Sequence, residues 1–67
     1  MKLGNNLRKY RFENSEMSQQ ALAEAVGVTR QTIISVEKGK YVPSTLLSLR
    51  IARVFNTQVD EIFYIID

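Results

Sequence analysis

The twenty residues from Gln19 to Lys38, QQALAEAVGVTRQTIISVEK, constrain the fold more than any other part of the chain. Leu22, Ala23 and Val26 share one helical face, because residues three and four apart lie side by side on a helix. Gly27 interrupts that face, and Ile33 and Val36 resume a helical stripe after Val28. Glycine enters positive φ without a steric penalty, so the chain can turn sharply at this point. Ala23 leaves room for close helix–helix approach. The segment therefore predicts two short helices crossing at a steep angle.

The flanking residues predict three more helices. Leu3, Leu7 and Tyr10 recur at i, i+4 and i+7, which predicts a first helix running to about Glu13. Asn14, Ser15 and Glu16 form the following loop. Ser18 caps the second helix, with Met17 before it as a hydrophobic staple, and Thr29 caps the third, which runs to about Lys38 and stops at Gly39. Pro43 forbids an immediate restart, and Ser44 caps a fourth helix through Phe55 with Leu47, Ile51, Ala52 and Phe55 on its buried face. Val59, Ile62 and Phe63 predict a short fifth helix. The expectation is one compact all-α domain of five helices spanning residues 1–67.

Composition narrows the chemistry. The 67 residues are 45% hydrophobic and 24% charged, as expected of a globular chain. Cysteine and histidine are both absent, which removes disulfides, thiolate metal sites, the usual general base and the commonest metal ligand. No carboxylates cluster in a pattern suited to catalysis, so the expectation is a protein that is no enzyme and carries no metal or cofactor. There is no signal-peptide pattern and no run of residues long enough to span a membrane, so a cytoplasmic setting is expected. Residues 1–53 hold all nine Lys and Arg against four Glu, a net +5, whereas residues 54–67 carry only Asp60, Glu61 and Asp67. A basic body suits a polyanionic partner.

A helical pair of this kind is the helix-turn-helix arrangement, whose second helix fits the major groove of DNA. The stretch SQQALAEAVGVTRQTIISVEKGKYVPS, together with the closing VDEIF, resembles the lambda-repressor-like, Cro-type (Xre) regulators of bacteria and phages. The resemblance runs from Leu7 through Phe63. It implies a five-helix domain that binds double-stranded DNA, usually an inverted-repeat operator, as a homodimer. It further implies that Arg30, Gln31 and Ser35 read bases on the exposed face of the third helix, with Thr32 at a phosphate or a thymine methyl. Gln19 matches the family glutamine that binds a phosphate and braces the third helix. Lys38, Lys40 and Tyr41 follow that helix where the family grips the backbone, with the N–H groups around Gly39 and Lys40 as additional donors. Arg50 and Arg53 are weaker candidates for the same task. Arg11 and Glu37 match an ion pair that holds the third helix, a longer loop at residues 14–16 absorbing the spacing between Arg11 and Ser18.

Several apolar residues are left without a place in this scheme. Leu46, Ile62, Tyr64, Ile65 and Ile66 are expected to form a dimer contact, with residues 56–67 as the dimerisation region. Alternatively, the β-branched tail pairs as a short strand with Lys2 and Leu3. Ile34 lies beside the reading face and is expected to pack on the first helix, a thymine-methyl contact being the other option. A repressor is the leading functional expectation. An antitoxin or protein-binding module, with an unidentified protein partner and DNA binding only for autoregulation, is the alternative.

Overall fold

The computed structural model describes all of residues 1–67. Five helices and two short strands follow in the order β1 (Lys2–Asn5), α1 (Leu7–Glu13), α2 (Gln19–Val26), α3 (Arg30–Glu37), α4 (Thr45–Val54), α5 (Val59–Ile62) and β2 (Phe63–Ile66). None of the helices is long and apolar enough to cross a membrane.

Side-chain caps start the three central helices. Ser18 Oγ accepts the Ala21 N–H at 2.9 Å, Thr29 Oγ1 the Thr32 N–H at 3.3 Å, and Ser44 Oγ the Leu47 N–H at 3.1 Å. Each such cap is worth about 1 kcal/mol. Gly27 ends α2 at φ 77°, and the Arg50 guanidinium reaches back to the Val26 carbonyl at 3.4 Å. Arg50 thus has a structural task, as a cation at a helix C-terminus. After α3, Gly39 at φ 75° closes the helix, its N–H donating to Val36 O and that of Lys40 to Ser35 O. This double closure is a Schellman motif.

The core gathers one face from every helix: Leu7 from α1; Leu22, Ala23 and Val26 from α2; Ile33 and Val36 from α3; Leu47, Ile51 and Ala52 from α4; Ile62 from α5. Phe63 closes it, and Tyr10 and Phe55 meet at its margin with ring centroids 5.7 Å apart and planes tilted by 48°. Val28 and Met17 pack on it half-buried.

The ends of the chain depart from the all-helical expectation. β1 and β2 form an antiparallel ribbon in the register Lys2↔Ile66, Leu3↔Ile65, Gly4↔Tyr64 and Asn5↔Phe63. Strand pairing of the termini is therefore present, and it reaches further inward than Lys2–Leu3. Leu3 belongs to this ribbon and not to α1. The Leu3–Leu7 spacing mimics a helix, but both side chains reach the core from different elements. The Asn5 side chain sets the boundary, its Oδ1 accepting the Leu7 N–H at 3.1 Å. Phe63 likewise leaves the fifth helix to begin β2, since the run Phe63–Ile66 favours a strand once β1 supplies a partner.

Ile62 requires a second correction. It is fully buried, so it cannot belong to a dimer surface; α5 turns it inward while the exposed apolar residues follow in β2. Ile62→Ala should accordingly cost about 2–5 kcal/mol of stability. Phe12→Ala, at a side chain 66% exposed and away from this packing, should stay within about 0.5 kcal/mol of the parent. Thermal unfolding followed by circular dichroism checks both, and equal midpoints for the two variants would contradict this packing.

Candidate nucleic-acid interface

Apolar side-chain packing fixes the angle between two helices only to within about 15–20°. Here a polar cluster supplies the direction. Arg11 on α1 meets Glu37 at the end of α3 in a bidentate pair, Nε to Oε2 at 2.5 Å and Nη2 to Oε1 at 3.0 Å. Their side chains are only 13% and 10% exposed, so the pair is shielded from solvent more than an ordinary surface bridge. The remaining Arg11 nitrogen, Nη1, donates to the Met17 carbonyl at 2.8 Å. Gln19, at the start of α2, donates through Nε2 to Glu37 Oε1 at 3.1 Å. One carboxylate thereby joins α1, α2 and α3.

The loop before α2 adapts to this arrangement. Ser15 and Glu16 both adopt positive φ, 58° and 53°, and the Met17 N–H returns to the Arg11 carbonyl at 2.9 Å. Two consecutive left-handed residues tighten the loop, so that Arg11 still reaches Glu37.

Asn5 also contributes, although sequence reasoning gave it no role. Its Nδ2 donates to the Val36 carbonyl at 3.1 Å, while its Oδ1 accepts the N–H of Leu7, the first residue of α1. A single side chain therefore fastens the ribbon and α1 to the last turn of α3. An asparagine ahead of a helical stripe is a capping signal, but the α3 half of its task depends on tertiary structure.

With its inner face anchored in this way, α3 turns Arg30, Gln31 and Ser35 outward; the first two are exposed and Ser35 is half-buried. Gln31 Nε2 and Ser35 Oγ stand 3.5 Å apart on adjacent turns. Thr32 differs from them. Its hydroxyl lies 3.1 Å from that of Thr29, at the N-terminal cap of α3. Beside α3 runs a groove whose charged lining comprises Arg8, Arg11, Arg30, Lys38 and Glu37. Since Arg11 already neutralises Glu37, three cations remain uncompensated. Arg8 was not anticipated from the sequence, because only the fold brings it opposite α3.

The other gripping candidates divide into separate places. Gln19 lines the same groove and has one amide hydrogen left over after bonding Glu37. Lys40 and Tyr41 are exposed beyond α3, and Tyr41 shares a second groove with Lys38, Val42 and Ile66. The backbone N–H groups of Gly39 and Lys40 are not free for phosphates, because the Schellman closure uses both. Arg53 is exposed on α4, in a groove that also contains Leu46 and Leu49. Leu46 is thus lodged in a different groove from Ile66.

Residues 7–62 match the family model described as helix-turn-helix. The chain is 50% identical over 48 residues to the HTH-type transcriptional regulator YgzD of Bacillus subtilis, an alignment covering 72% of this chain and 73% of that protein. It is 49% identical over 61 residues to an HTH-type transcriptional regulator of Methanothermobacter thermautotrophicus, covering 91% and 87% respectively. A third such regulator, from Methanocaldococcus jannaschii, is 46% identical over 59 residues and 88% of each chain. The chain belongs to the helix-turn-helix family. Its relatives include archaeal as well as bacterial proteins, a wider range than the bacterial and phage origin expected from the resemblance.

Asn5→Ala should leave the Leu7 N–H and the Val36 carbonyl without their side-chain partner, costing about 1–3 kcal/mol. Urea unfolding at constant m-value measures the loss, and a midpoint unchanged from the parent would contradict the role given to Asn5.

Proposed function

We propose that this protein is a sequence-specific, double-stranded DNA-binding transcriptional regulator. In this reading it is a repressor that covers an inverted-repeat operator as a homodimer. The observation that carries the proposal is the outward polar face of α3 beside a groove with three uncompensated cations. α3 enters the major groove, where Arg30 pairs with guanine, Gln31 pairs with adenine, and Ser35 bonds either base. Each good bidentate pair discriminates by about 1–3 kcal/mol. Gln19, Lys38, Lys40 and Tyr41 contact the phosphate backbone, with Arg8 added to that set. Such contacts position the protein and make its affinity depend on salt.

Geometry favours a dimer. An α3 of eight residues is about 12 Å long, so one copy covers only a few base pairs. Two copies spaced by one DNA turn, about 34–36 Å, read both halves of a palindrome. The contact proposed is β2, whose outer edge has no partner strand within the chain. Tyr64, Ile65 and Ile66 are exposed there by 44%, 64% and 45%. An unpaired apolar edge favours strand addition by a second copy. The separate groove holding Leu46 and Leu49 supports a second reading, in which a protein partner docks on α4 and DNA binding serves autoregulation.

Selection of bound sequences from a random DNA pool tests the main reading and should return a palindromic consensus. Gln31→Ala should then relax the preference at one base of each half-site. Lys40→Ala should weaken all sites about equally and reduce the salt slope by about 1. If the two variants behaved alike in binding titrations, the division between readers and grippers would fail. Sedimentation at tens of micromolar should show a dimer, and Ile65→Lys should give a folded monomer. A monomeric parent protein would contradict the proposed contact.

A further inference from the structure

Ile34 is an apolar side chain in a polar place. Arg30, Ile34 and Lys38 follow one another at four-residue spacing, so they form a single row along α3. That row borders the reading residues Gln31 and Ser35, whereas Ile33 and Val36 occupy the opposite, buried side. Ile34 is half-buried, yet it is neither part of the core cluster nor among the apolar residues packed against it. Its neighbours across the groove include Arg8 and Arg11 of the first helix, so contact with that helix and an open apolar side toward the groove go together. Ile34 is the one hydrophobic residue lining the cationic groove, and the rest of that lining is charged or polar.

We infer that Ile34 is a methyl-reading residue, forming an apolar subsite for the C5-methyl group of a pyrimidine in the major groove. This rests on the DNA-binding reading proposed above. In the major groove thymine differs from every other unmodified base by that methyl group, which apolar side chains recognise by contact. Arg30 and Lys38, one turn to either side, hold the neighbouring DNA close, so contact with the methyl removes apolar surface from water. Burying one methyl-sized group contributes about 0.8 kcal/mol, a change of about fourfold in affinity. 5-Methylcytosine presents the same group at the same position, so thymine and methylated cytosine are two sources of one chemistry.

The experiment uses the consensus operator with each thymine replaced in turn by deoxyuridine, which keeps the base pair and removes only the methyl. The parent protein should lose about fourfold in affinity at one thymine of each half-site. Ile34→Ala should bind thymine and uracil equally there, and Ile34→Val should retain part of the preference. All three proteins should melt at similar temperatures, because the side chain lies outside the core. At the same position, 5-methylcytosine opposite guanine should bind the parent protein more tightly than cytosine if the subsite reads the methyl alone; equal binding of the two would overturn that generality. A consensus with no uracil-sensitive position, or a sensitivity that persists in Ile34→Ala, would overturn the inference while leaving the DNA-binding reading intact. A random pool that yields no consensus would overturn both.

Discussion

The bidentate pair between Arg11 and Glu37 determines what α3 can do. Apolar packing of Ile33 and Val36 keeps α3 on the core and sets its angle to within about 15–20°, which leaves room for small rotation and sliding. The paired carboxylate removes that freedom by facing α1 through Arg11 and α2 through Gln19. Desolvating two charges is expensive, and replacing such a pair with apolar residues is often neutral or stabilising. What the pair contributes is direction. Asn5 adds a second tether at the same end of the helix, on the Val36 carbonyl.

The three central helices were legible in the sequence because local signals agree with tertiary packing. Ser18, Thr29 and Ser44 cap, Gly27 and Gly39 terminate, and the apolar spacing between them matches the buried face. The chain ends were less legible. Leu3 and Leu7 satisfy helical spacing, yet both are drawn to the core by different elements, so periodicity alone assigned them to one helix. Ile62, Phe63 and the exposed tail form a continuous apolar run. The sequence does not show where that run turns from the core toward solvent. Arg8 and the α3 tether of Asn5 depend on which helices become neighbours, and no local pattern encodes that. Gln19 was legible as a brace. The occupied N–H groups of Gly39 and Lys40 were not foreseen, because their use follows from how α3 closes.

Charge and apolarity are sorted by face. The buried side of α3 is aliphatic, its flank is tied down by the Glu37 cluster, and its outer side carries hydrogen-bonding groups and unbalanced cations. The acidic residues of the tail, Asp60 and Glu61 in α5 and Asp67 after β2, lie outside the groove that gathers Arg8, Arg30 and Lys38. A domain of this size has a small core, so few kcal/mol separate folded from unfolded chains. In the proposed dimer, burial along β2 would add stability and set the spacing of the two α3 helices, so one element would serve both ends.

A double-mutant cycle on Arg11 and Glu37, read out as operator affinity well below each variant's melting temperature, tests this account most directly. Arg11→Met and Glu37→Met should each weaken binding, and their effects should couple by at least about 1 kcal/mol in the double variant, as expected for contacting residues. Coupling in thermal stability without any coupling in affinity would show that the pair supports the fold but does not orient α3, and would contradict the account.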